Sequence, residues 1–437
     1  MNEYGRSYRW VVLGSAFAII SMAIGMLFAL AVFVEPMERS LGWSRGSLSA
    51  IAFMNWIVMG AGGAVAGYLA DRFGTRIVVL VGSGLLGLGL ILSSRVTEPW
   101  QFYLTFGVLV GGGVSTFYVP LTVTAVKWFD HRRAMAAAVV SSGNGLGILV
   151  LSPLARWLIN EYDWRTAFVV LGDLAWLIVI PAALLLKPPI TNAGAQMAPA
   201  LPPTPLAPAH TNAGAPMAPA LPPRAHTPTR PSHFPARGPG LQAQWAAVRT
   251  WPFWAIALTH FACCAAHSGP IFHMVSHAID QGVPKLTAAA ILGLSGLTSI
   301  FGRVGTGIIA DRVGTRPTLI AALVLQAVTI LLYLGARDAS IILALALVFG
   351  VGYGAAMPLY AVLTRELFGE RVMGTAYGLI FGISCIGMGL GSYAGGLIHD
   401  VFGSYLWLFI ASGAIGSMAV VLALTLEAPR RLVTQRA

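Results

Sequence analysis

Stretches of 20 or more predominantly apolar residues recur along the whole 437-residue chain, each long enough to cross a hydrocarbon layer roughly 30 Å thick. In lipid, a spanning segment must satisfy its backbone N–H and C=O groups internally, so such runs read as helices. They fall near residues 10–34, 48–70, 76–95, 100–126, 133–157 and 165–187, then near 250–279, 286–310, 316–337, 340–364, 373–398 and 403–426. The expectation is an all-α membrane protein of twelve transmembrane helices in two groups of six. The first run is too long for a signal-peptide core and lacks a small-residue cleavage site, so it is expected to be retained. Composition excludes a soluble enzyme: 57% of residues are hydrophobic and 10% charged, against roughly 25% charged in soluble proteins.

The net charge of +11 raises the question of nucleic acid, but the basic residues are scattered through short loops rather than massed on one face. They report topology instead. With both termini on the cytoplasmic side, the loops and tails of that side carry nineteen Lys and Arg and the opposite loops seven (Arg39, Arg45, Arg95, Arg156, Arg165, Lys285 and Arg337). One further basic residue, Arg303, lies inside a span. The three cysteines, Cys263, Cys264 and Cys385, all sit in apolar runs and form neither a disulfide framework nor a zinc spacing. No cofactor or metal is expected.

Three regions follow: residues 1–187 as one six-helix bundle, 188–249 as a linker, and 250–437 as a second bundle with a tail. Within the linker, 188–240 holds 15 of the 26 prolines and no acidic residue. TNAGAQMAPALPP (191–203) recurs almost unchanged as TNAGAPMAPALPP (211–223). Proline at this density opposes helix, and too few large apolar residues remain for a core, so a disordered cytoplasmic linker lengthened by duplication is expected.

The two groups carry matching loops. Between the second and third spans stands Gly67-Tyr-Leu-Ala-Asp71-Arg72-Phe-Gly74-Thr-Arg76; between the eighth and ninth, 240 residues later, stands Gly307-Ile-Ile-Ala-Asp311-Arg312-Val-Gly314-Thr-Arg316. Gly67 and Gly307 are expected to permit close helix packing, and Gly74 and Gly314 to make tight turns at positive φ. Asp71 and Asp311 can pair with a nearby Arg or accept from a helix N-terminus, forming a charge latch at the cytoplasmic gate.

With this duplicated loop the sequence resembles the major facilitator superfamily. The resemblance covers all twelve spans and implies two pseudo-symmetric six-helix bundles around a central cavity, with alternating access by rocking of the halves. Three further segments resemble its bacterial monocarboxylate transporter and oxalate/formate-type antiporter branch: Lys127-Trp-Phe-Asp-His-Arg132-Arg133, Pro36 through Leu41-Gly-Trp43-Ser-Arg45, and Phe368-Gly369 with Gly374-Thr-Ala-Tyr377-Gly.

An ionisable residue at bilayer depth is by default a functional candidate. Arg303 lies eight residues before Asp311, about 12 Å inside the cytoplasmic end of its span at 1.5 Å per residue. The position 240 residues earlier is Gly63, so the duplicate half has no such charge. A single guanidinium suits one asymmetric anion, because its geometry matches a carboxylate bidentately. The resemblance agrees: the Phe301-Gly-Arg303 position binds substrate carboxylate in that branch.

Tyr118 lies at the depth of Arg303, while Asn144, Tyr353 and Ser384 lie about 16 Å from their cytoplasmic ends. The resemblance adds Tyr118, Ser384 and His273 as binding positions; Asn144 rests on depth alone. Oxalate-type members carry a lysine in the stretch matching Tyr377 to Gly387, which here has no basic residue. One buried cation favours a monocarboxylate over a dianion. The seventh span holds His260, His267, His273 and His277, with Gly269-Pro270 expected to break the helix between the pairs; His273 could also exchange a proton. Glu35 is expected near solvent and Asp173 inside a peripheral span.

The sequence thus predicts a bacterial inner-membrane secondary transporter, functional as a monomer. Its expected cargo is a small monocarboxylate, a lactate- or pyruvate-like 2-hydroxy or 2-oxo acid, moved with a proton. Exchange of organic anions, or export, is the alternative. No catalytic constellation and no nucleic-acid partner is expected.

Overall fold

The computed structural model describes residues 3–129, 133–187, 247–368 and 370–426. The expected linker therefore lies almost wholly outside the described residues, as do Asp130 to Arg132, Gly369 and the side chain of Asp71. The first six helices are α1 (Glu3–Leu41), α2 (Arg45–Phe73), α3 (Thr75–Ser93), a composite α4, α5 (Arg133–Glu161) and α6 (Trp164–Leu184). The second six are α7 (Trp251–Asp280), α8 (Lys285–Val313), α9 (Thr315–Leu332), α10 (Ala339–Phe368), α11 (Glu370–Phe402) and α12 (Leu406–Leu424). Among the described residues, eleven of these are long and apolar enough to cross a membrane, and α2, 29 residues long, runs with them. No strand is present among the described residues.

Local chemistry sets the helix ends. Asp163 caps α6 by accepting from the Thr166 N–H at 2.6 Å, and Ser44 caps α2 by accepting from the Ser47 N–H at 3.1 Å. Gly74 (φ 88°, ψ 144°) and Gly314 (φ 98°, ψ 155°) turn the chain from α2 to α3 and from α8 to α9. That backbone conformation is open essentially to glycine alone, which explains the two matching glycines of the repeated loop. The composite α4 runs as Pro99–Phe102, a wide-turned Tyr103–Val110, Gly111–Ser115 and Tyr118–Lys127.

Two expectations about helix interiors need correction. The Gly269-Pro270 step does not break α7, which is continuous from Trp251 to Asp280. The lost backbone bond is tolerated because α11 packs tightly there; a Cβ on Gly269 would meet the Gly391 carbonyl oxygen at 2.8 Å. Glu35 is not near solvent: it is 5% exposed, held among three cations. Asp173 points outward from α6.

The two halves meet along α2 with α11 and along α5 with α8. At the second seam a Cβ on Gly296 would meet the Gly145 carbonyl oxygen and Ile148 Cβ, each at 2.8 Å, so two glycines let the backbones touch. Along the first seam, Gly389 packs on Phe53 and Gly60 on Cys385. Beyond Cys385, toward the duplicated loops, a Cβ on Gly382 or Gly378 would meet nothing within 4 Å. The halves are sealed at the end away from the repeated loops.

Candidate functional site

That far-end seal is ionic. Arg45, at the start of α2, bonds both oxygens of Asp280 at the end of α7, Nη1 at 2.7 Å and Nη2 at 3.1 Å. It also donates from Nε to Glu38 at 2.9 Å and from Nη1 to the Tyr405 hydroxyl at 2.9 Å. Asp400 on α11 accepts the N–H groups of Arg45 and Gly46 at 3.0 and 2.7 Å, so one half caps a helix N-terminus of the other. Beside this network, Glu35 pairs with Arg39 (2.8 Å) and Arg156 (3.2 Å) in its own half and with Lys285 (2.9 Å) in the other.

His273 belongs to this seal. Its Nε2 donates to the Ser392 carbonyl at 3.0 Å, which leaves Nδ1 to accept from the Tyr405 hydroxyl at 3.1 Å. The tautomer follows because a carbonyl only accepts. Burial pushes the Tyr405 phenol above its ordinary range, so it remains a donor. With both ring nitrogens engaged inside the closed gate, His273 is a gate residue in this structure.

Deeper in the molecule stands Arg303, 7% exposed on α8. Its Nη1 donates to the Ser299 hydroxyl at 2.6 Å and carbonyl at 3.2 Å. Among the described residues no carboxylate pairs with it, and Nε and Nη2 make no hydrogen bond. Its Cζ lies 5.7 Å from the Tyr353 ring centroid. The Tyr353 hydroxyl is buried near Ser295, Ser299 and Arg303 yet in hydrogen-bonding geometry with none of them. The close α8–α10 packing behind this cluster comes from Gly302 and Gly354, each seated on the other helix's backbone.

The other half contributes two groups. Tyr118 opens the last segment of α4, stacks on Phe381 of α11 (5.9 Å, 4°) and is within electrostatic reach of Arg303. Asn144 precedes the Gly145 that packs on Ile300, one turn from Arg303, and its Oδ1 is buried without a partner. Tyr353 and Tyr118 thus gather around Arg303, and Asn144 lies on the helix that crosses α8 one turn away. Ser384 is buried on α11, its hydroxyl donating to the Phe381 carbonyl at 2.8 Å beside Cys264, and among the described residues it makes no bond to Arg303. His267 was singled out by no sequence argument, yet it stacks on Tyr353 (5.6 Å, 17°) and lies in the field of Arg303. Its seven-residue spacing from His260, on a helix that proline does not interrupt, was the one available signal.

At the opposite end the repeated loops are apart. Asp311 and Arg312 are exposed, and among the described residues neither forms an ion pair. A Cβ on Gly307 would meet nothing within 4 Å, and one on Gly67 only Val119, at 3.8 Å. Arg316 instead donates to the Leu424 carbonyl at 2.6 Å, while Arg72 and Arg76 are exposed. Among the described residues Asp311 makes no charge latch in this conformation, and the latch expected of Asp71 lies outside the described side chains. No cluster of three or more His, Cys, Asp or Glu among the described residues is placed to hold a metal.

A family model described as Major Facilitator Superfamily matches residues 13–392, and again 304–437. The chain belongs to the Major Facilitator Superfamily. It is therefore a membrane transporter and not an enzyme. Among curated proteins it is similar to monocarboxylate transporter 13 of Bos taurus, 28% identical over 412 residues, covering 93% of this chain and 86% of that one. Monocarboxylate transporter 2 of Homo sapiens is 26% identical over 420 residues, covering 93% and 82%. Among solved structures, a bacterial homologue of the human lysosomal transporter Spinster, in an inward-facing and unoccupied conformation, superposes with a TM-score of 0.72 at 14% identity over 95% of this chain and 96% of that one.

Proposed function

We propose that this transporter carries a small monocarboxylate together with a proton, by alternating access, as a monomer in a bacterial inner membrane. The observation that carries the reading is a buried guanidinium with free donors and no internal acid beside it. A buried charge left unpaired is costly, so the site is built for an anion that arrives and leaves. In this reading Arg303 takes the carboxylate, and the unsatisfied Tyr353 hydroxyl donates a further bond to it. The orphaned Asn144 oxygen accepts from a 2-hydroxyl, and Tyr118 closes the site from the other half. A lone cation suits one negative charge, and the monocarboxylate transporters among its relatives point the same way. His273, held in the closed gate, would contribute only in another conformation.

The excess of Lys and Arg on the side of the repeated loops orients the protein with those loops and both termini in the cytoplasm. The sealed face then looks outward, and the loops of residues 67–76 and 307–316 form the gate that closes when the cycle turns over. The test is uptake of labelled lactate into proteoliposomes. A proton gradient should drive accumulation, and Arg303→Ala should abolish it while the protein still reaches the membrane. Counterflow without gradient-driven accumulation would identify an anion exchanger instead; near-normal uptake by the variant would refute the assignment of Arg303.

A further inference from the structure

On α7, His267 is 3% exposed and its Nδ1 lies 2.7 Å from the Cys263 carbonyl. A carbonyl accepts, so Nδ1 carries the hydrogen, and in the neutral ring Nε2 holds the lone pair. Nε2 makes no hydrogen bond among the described residues. The ring stacks on Tyr353, whose own hydroxyl is unsatisfied and whose ring lies against Arg303. We infer that Nε2 of His267 is the group that takes up and releases the proton travelling with the anion.

This inference rests on the proposed carboxylate site and adds the coupling residue to it. The groups around the ring are Arg303 of α8, Tyr353 of α10, and Cys263 and His260 of α7 itself. From α11, Ser384 and Cys385 approach the neighbouring Cys264. Among these, Arg303 is the fixed charge, and it is positive. A second positive charge next to it, out of water, is strongly opposed until an anion enters. The empty site therefore holds neutral His267 and one positive charge. When a carboxylate binds, one proton from the aqueous side adds to the Nε2 lone pair, and the site then holds Arg303, an imidazolium and the anion. Its net charge is again plus one. Loaded and empty forms are matched in charge, so the cycle moves one proton with one anion, whereas a site without the titrating ring still holds the anion on Arg303 and exchanges it uncoupled from protons.

The experiment compares wild type with His267→Gln, which keeps a polar side chain of similar reach, each purified, checked for an unchanged melting temperature and reconstituted. Two readouts are taken: lactate accumulation driven by a pH gradient, and lactate counterflow at equal pH on both sides. For the variant, accumulation should fall at least about tenfold while counterflow persists. Wild type, but not the variant, should take up one proton per lactate bound in weakly buffered solution. Retained accumulation would overturn the inference, and so would a parallel loss of both activities. Should the glutamine variant fail to fold, the wild-type proton uptake alone decides: no proton per lactate bound would overturn it. A wild-type protein that neither exchanges nor binds lactate would instead overturn the carboxylate site on which it rests.

Discussion

Replacing Asp280 with asparagine should open the sealed end. Arg45 and Asp280 belong to opposite halves, so their interaction stabilises only the conformation in which that end is closed. The pair is bidentate, at 2.7 and 3.1 Å. Hydrogen bonds to charged groups contribute about 1.5–3 kcal/mol, but the Asp280 side chain is 32% exposed. Solvent screening reduces the loss to about 1–2 kcal/mol, since Arg45 keeps Glu38 and Tyr405. At 1.4 kcal/mol per decade, the closed-to-open ratio should fall roughly 5–30-fold. The assay is alkylation of a cysteine placed at Ser392, 1% exposed beneath the gate. It uses a background in which Cys263, Cys264 and Cys385 are alanine, with a membrane-impermeant reagent added from the sealed side. The rate should rise by about the same 5–30-fold factor, and Arg45→Gln added to Asp280→Asn should contribute less than it does alone. An unchanged rate would mean that apolar packing, not this ion pair, holds the gate, and the reasoning would fail.

Other consequences are accessible to simpler measurements. Gly74→Ala or Gly314→Ala should destabilise by about 1–3 kcal/mol each, because alanine is strained at those angles; a melting temperature equal to wild type would contradict this. Gly296→Val should disrupt the α5–α8 crossing at a cost of about 1–3 kcal/mol, lowering the melting temperature and slowing counterflow more than Gly305→Val, whose Cβ meets nothing within 4 Å. Deleting 191–223, which removes both copies of the duplicated segment, should leave transport rates unchanged in the uptake assay.

The features legible in the sequence were those written in local spacing. Apolar runs gave the twelve helices, and the matching Gly74 and Gly314 gave the turns, because a positive φ selects glycine whatever surrounds it. Arg303 was legible because a charge inside an apolar run has no local explanation. The sealing network was not legible: Arg45 meets residues 235 and 355 positions away, and no periodicity encodes which loops face each other across two bundles. Glu35 illustrates the same limit. Its place at a helix end suggests solvent, whereas Lys285 from the other half covers it. His267 was hidden by proline. A helix expected to break at Pro270 gives no reason to prefer His267 over its three neighbours, whereas continuous packing against α11 fixes which ring reaches Tyr353.

The central claim is that Arg303 holds the negative end of the cargo, and direct binding tests it without transport. Calorimetry on the purified protein should detect lactate but not lactamide, which has nearly the same shape and no charge. Arg303→Gln, with an unchanged melting temperature, should weaken lactate binding at least about thirtyfold, a loss of about 2 kcal/mol. Equal affinity of wild type and variant for lactate, or binding of lactamide as tight as that of lactate, would contradict the account.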